Sequence, residues 1–179
     1  ARLFSPEENI TYVQAVKVFV RLTGFDVQAE IKGGYPVGYM IIARERGITK
    51  NIRTGNDSAL TREELAQLIA NTLETDNMQI SSVSGDSQTY DVSGESNLLY
   101  TKYRIKRFNG MLTAVGKTDM YGVSGISEFK IKIDRFAMNK AENVHFAAAD
   151  IGKSMEYYAE TDENGSAEKL ICFKWQEDK

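Results

Sequence analysis

Residues 60–83 read LTREELAQLIANTLETDNMQISSV, and inside this stretch the hydrophobic period changes. As far as Glu74 the apolar side chains Leu65, Leu68, Ile69 and Leu73 recur at spacings of three and four, one face of a helix. Thr61 precedes that stripe and Glu64 follows three residues later, the spacing of a capping box. In such a box the threonine hydroxyl accepts from the backbone N–H three residues on, and the glutamate reaches back to the threonine N–H. From Met78 the pattern alternates apolar with polar, as in a half-buried strand. The joint between them, ETDNM at 74–78, carries no Gly/Pro/Ser run, so the helical and β parts are expected to touch.

Upstream the periodicity stays helical. In ITYVQAVKVFVRL (10–22) Val13, Val16 and Val20, with Ala15, Phe19 and Leu22 beside them, form a stripe that Gly24 can end. YPVGYMIIARER (35–46) predicts a second helix, with Pro36 in its first turn and Gly47 at its end. No helix this short is stable alone, so the three must pack, with Phe19, Leu22, Ile41, Leu65, Leu68 and Ile69 as the expected core. Downstream, MQISSV (78–83), MLTAV (111–115), EFKIKI (128–133), SMEYYAE (154–160) and KLICFKW (169–175) have the composition and period of strands. GDS (85–87), NG (109–110) and DENG (162–165) read as turns, and SNLLYTKYRIKRF (96–108) as a short helix entering a strand. The expected class is α+β. Residues 1–76 form a three-helix cluster, and residues 77–179 a small antiparallel β-sheet or partly closed barrel.

The bulk properties exclude several functions. The 179 residues are 42% hydrophobic and 26% charged, an ordinary globular composition. A net charge of −3 provides no global basic field for nucleic acid. The one basic cluster, KYRIKRFNG at 102–110, reads as a solvated face. No apolar run approaches the ~20 residues of a membrane helix. The chain begins with Ala1, without an export signal, as an excised fragment would. The single Cys172 permits no internal disulfide and is expected to be a buried strand thiol rather than a nucleophile. The single His145 rules out a two-histidine metal site. GVSGIS (122–127) lacks the lysine and following helix of a phosphate loop. Tyr157 and Tyr158 could stack on a sugar ring, but alternation sends one of them into the core. No catalytic residue, metal ligand or cofactor is expected.

The helix start at Thr61 has an echo. At an offset of fifty, FSPEENIT (4–11) faces TGNDSALT (54–61), and Thr11 with Gln14 repeats the capping spacing. Two equivalent caps, each contributing ~1 kcal/mol, account for Thr11, Gln14, Thr61 and Glu64. They do not account for Arg62. A cation in a first turn opposes the helix dipole, whereas a guanidinium beside exposed N–H groups suits a bound carboxylate or phosphate.

These residues carry a family likeness. LTREELAQLI resembles the ITRAE segment of the S-layer homology (SLH) domain, the module that attaches many bacterial surface proteins to cell-wall polysaccharide. FSPEENITYVQAVKVFVRLTGF resembles the closing half of one SLH repeat, and residues 25–74 resemble a whole following repeat. Tyr35 to Thr49 matches the inter-repeat helix and loop, with GGYPVGY where the family has a tryptophan. The β-rich remainder resembles segments that follow SLH repeats in bacterial surface proteins. The resemblance implies a non-catalytic module, extracellular and at the cell wall or S-layer. Its implied partners are anionic, often pyruvylated, wall polysaccharide and neighbouring SLH repeats or other surface-layer proteins. It implies Arg62, Glu64 and Tyr35 as glycan-binding residues, with Thr61 as the cap. The first repeat departs from the pattern, because Tyr12 stands where the arginine belongs. Two other readings stay open: a scaffold carrying a glycan- or ligand-binding β-domain, and an accessory fragment of a cell-wall hydrolase.

Overall fold

The computed structural model describes residues 7–84, 87–122 and 126–177. The centre of the GDS turn, residues 123–125 of GVSGIS and residues 4–6 of FSPEENIT lie outside them. The chain forms two compact units, residues 1–101 and 102–179. Secondary structure changes at Thr75, as the period does, but the units part at residue 101, because the first β-hairpin belongs to the helical unit.

The first unit contains α1 (Tyr12–Leu22), α2 (Asp26–Ile31), α3 (Val37–Glu45), α4 (Arg62–Glu74) and a hairpin of β1 (Asp76–Ser84) with β2 (Ser87–Asn97). Four helices therefore stand where three were expected. In α2 the apolar residues Val27, Ala29 and Ile31 alternate, so no 3.6-residue period marks it, and only Ala29 is buried. The core also differs from expectation. Leu68 is fully buried, with Val16, Val20, Phe25, Ile42 and Ile48, whereas Phe19 and Leu65 are half-buried. Leu22, Ile41 and Ile69 are exposed. Each sits on a helix whose inward stripe is already filled. On α3 that stripe is Tyr39, Ile42 and Ala43, and a stripe covers only about 100° of the helix. Met78 of β1 closes this core, its N–H donating to Thr23 O at 2.9 Å.

The echo proves to be a pairing. Thr11 bridges Ala59 in antiparallel fashion, and the Leu60 N–H donates to Ile10 O. The Tyr12 and Val13 N–H groups, orphans of the first turn of α1, donate to Ser58 O (2.9 Å) and Asn56 O (3.1 Å). Both boxes form contacts. The Thr11 N–H donates to Gln14 Oε1 at 3.0 Å. At α4 the Glu64 N–H donates to Thr61 Oγ1 (3.2 Å), and the Thr61 N–H donates to Glu64 Oε2 (2.9 Å). Replacing Thr61 by alanine is expected to lower stability by ~1 kcal/mol in urea denaturation. An unchanged midpoint would deny the cap any energetic role.

The helix α5 (Leu98–Tyr103) leads into the second unit. Its strands are β3 (Ile105–Val115), β4 (Thr118–Asp119), β5 (Ile131–Ile133), β6 (Phe136–Lys140), β7 (Ser154–Thr161) and β8 (Ala167–Trp175). Only the end of EFKIKI is strand. β3 pairs with β7 along Ile105–Met111 and with β5 along Leu112–Val115, so the sheet closes as β3-β5-β6-β8-β7-β3. One pairing, β6 with β8, is parallel and the barrel is closed, which corrects the expectation of a small antiparallel sheet or partly closed barrel. Counted within the barrel the order is 1-2-3-5-4-1, the Greek-key connectivity of an OB-type barrel. Leu112, Ile131, Ile133, Met138, Met155, Tyr157 and Leu170 fill it.

Cys172 is exposed, against expectation. A bulge explains the reversal. Tyr158 pairs with Cys172 but Ala159 pairs with Leu170, leaving Ile171 as an extra residue on β8. One extra residue flips the side-chain parity, so Leu170 points inward while Cys172 turns outward.

Candidate functional site

The first unit carries a groove of about 760 Å³ along the start of α1, the end of α3 and the loop that follows it. The loop is built from local rules. Gly47 (φ 77°) and Asn51 (φ 65°) take left-handed conformations that turn the chain beyond α3. Ile48 is buried as its anchor. From α4, the Asn71 amide donates to Ile48 O (3.0 Å) and Lys50 O (2.8 Å). The far end is held by the bonds of Asn56 O and Ser58 O to α1.

This strap arranges one kind of charge. Arg44, Lys50 and Arg53 line the groove with Tyr12, Thr49, Thr54 and Asn56. No carboxylate lines it, and among the described residues none of the three cations forms an ion pair. An apolar notch of about 220 Å³, formed by Pro36, Val37 and Ile41, adjoins it and shares Met40, Arg44 and Asn56. Tyr12 is buried at the groove wall. Burial pushes its phenol above its ordinary value, so it stays protonated at neutral pH. Guanidinium forks, an ammonium, hydroxyls and an amide make a donor-rich trough suited to carboxylate or phosphate oxygens.

None of the residues implied by the SLH likeness, Arg62, Glu64 and Tyr35, is in the lining of this groove. Arg62 opens α4 and is exposed. Glu64 bonds back to Thr61, from the Thr61 N–H (2.9 Å) and hydroxyl (3.0 Å) to its Oε2. The Thr61 backbone N–H, then the Thr61 hydroxyl, hold the Glu64 carboxyl below its ordinary value. Tyr35 is 44% exposed, edge-on to Tyr39 (ring centroids 6.3 Å apart), and Lys17 Nζ lies 4.7 Å from its ring centre. Tyr39 is fixed in turn by its hydroxyl, which donates to Glu30 Oε1 at 2.9 Å. Sequence reasoning passed over Arg44, Lys50 and Arg53. Part of the signal was present, since residues 46–56 hold Lys50 and Arg53 with no acid in a net acidic chain, but Arg44 lies outside that stretch, beside Glu45. His145 is exposed, and no cluster of three or more His, Cys, Asp or Glu among the described residues could hold a metal ion. No helix among them is long and apolar enough to cross a membrane.

A protein named "Middle cell wall protein" from Brevibacillus brevis is 31% identical to this chain over 100 residues. The match covers 56% of this chain and 9% of that protein. No family model matches the chain, and no solved structure does.

Proposed function

We propose that this chain is a non-catalytic module of a bacterial surface protein, an SLH-type attachment element that holds anionic cell-wall polysaccharide in the groove of its first unit. The observation that carries the reading is the groove itself: Arg44, Lys50 and Arg53 converge there with no carboxylate in the lining. Cations with no carboxylate beside them in the groove lining, next to an amide and hydroxyls, favour a polyanion, and their open setting makes that attraction sensitive to salt. The likeness to a protein named for the cell wall supports the location, and the motif likeness supports the kind of attachment. Residues from neighbouring repeats or other surface-layer proteins would extend the site.

Sedimentation with purified bacterial cell walls, with and without their anionic polymer, tests this. The Arg44→Ala/Arg53→Ala double variant should bind about tenfold more weakly or worse, an effect of ~1.4 kcal/mol. Wild-type binding should fade as salt is added and vanish from walls stripped of the polymer. Arg62→Ala in the same assay separates the two assignments. A loss there extends the site to the start of α4, and no loss confines it to the groove. Undiminished binding by the double variant would refute the groove as the attachment site.

A further inference from the structure

We infer that the outer face of β3, β7 and β8 in the second unit is a separate ligand site, built for a neutral N-acetylated glycan and not for a polyanion. The register places its parts. Asn109 pairs with Glu156, which pairs with Lys174, and opposed residues share a face. The next row on the same face is Arg107, Tyr158 and Cys172, roughly 7 Å along the strands. The β8 bulge turns this row outward and sends Phe173 and Trp175 to pack on the core with Phe146. Tyr158 is therefore the tyrosine of the pair that can meet a sugar, since Tyr157 is buried and stacked on Phe108.

The chemistry of the face differs from that of the groove. A shallow depression of about 620 Å³ runs along Glu156, Lys174, Trp175, Gln176 and Glu177. Its two carboxylates are matched by Lys174 within it and by Arg107, which approaches Glu156 at 3.9 Å. A polyanion gains nothing from such a balance, whereas hydroxyl groups need donors and acceptors side by side. The Gln176 amide donates to Asn109 Oδ1 at 2.8 Å, which fixes both side chains and leaves each amide a complementary group for an acetamido substituent. Tyr158, outside the lining of the depression but in the row next to Asn109, Glu156 and Lys174, adds an aromatic face to these charges and amides, which suits a hydroxyl-rich ring with an apolar face.

Isothermal titration of the full chain with the N-acetylglucosamine tetramer, at low and high salt, tests the assignment. Saturable binding is expected, unaffected by salt and by Arg44→Ala/Arg53→Ala. Gln176→Ala and Tyr158→Ala should each weaken it about tenfold. Gln176 is exposed, so its variant keeps the test valid if Tyr158→Ala fails to fold. Absence of binding at millimolar tetramer overturns the inference. So does binding indifferent to Gln176→Ala, or binding lost with salt or with the groove arginines, which would place the sugar in the first unit.

Discussion

Truncating Leu68 to alanine should destabilise the helical unit by ~2–5 kcal/mol, toward the upper end of that range. The cost of a buried truncation depends on how far the surroundings collapse into the space left behind. Here little collapse is available. Leu68 is fully buried with Val16, Val20, Phe25, Ile42 and Ile48. One turn further along α4, Asn71 is bonded to two carbonyls of the groove loop, so the helix cannot slide inward without breaking them. The adjacent Ile69 provides the control, because it is exposed on the same helix, and Ile69→Ala should stay within about 0.5–1 kcal/mol of wild type. Urea denaturation followed by helical circular dichroism measures both. Equal effects at the two positions would overturn the packing described for α4.

Gly38→Ala should destabilise by ~3 kcal/mol or more, and its sign is the informative part. At an open site in a helix, glycine to alanine is stabilising by about 0.8–1 kcal/mol, because alanine is the better helix former. Gly38 sits in α3 where that helix crosses α2, and a Cβ there would overlap the carbonyl oxygen of Ala29. The obstacle is backbone, with the Lys32 carbonyl carbon 3.2 Å away, so no side chain can rotate aside. Relief requires the two helices to separate, which uncovers Ala29, Tyr39 and Ile42. A stabilised or unchanged Gly38→Ala would mean that α2 and α3 do not approach as described. The same denaturation series decides it.

The candidate site was legible in fragments. Both capping threonines and the stops at Gly24 and Gly47 could be named from spacing, because a cap is a local bargain among residues three or four apart. Arg62 drew attention because it offends a local rule, the helix dipole. Arg44, Lys50 and Arg53 offend none. The first and last lie nine positions apart, and they become one feature only when Asn71 and the start of α1 draw the loop into a strap.

The sequence by itself determined what depends on near neighbours: the helix-to-strand change at Thr75, the α+β class, the helix starts at Thr11 and Thr61, and the alternation of β7, though not which of its faces is inward. The tertiary structure decided what depends on partners far along the chain. Leu68 rather than Ile69 lies inside because only one side of α4 meets the core it shares with α1, and periodicity alone leaves a stripe wider than the contact. Phe25, just past the end of α1, joined the core because the chain folds back there into α2, a helix whose alternating residues hide its period. Cys172 faces outward because a single extra residue on β8 must be absorbed against β7, and a slip of one reverses a strand. The parallel pairing that closes the barrel joins β6 to β8 across the whole of β7, a choice made by burial of a shared core that no local pattern encodes.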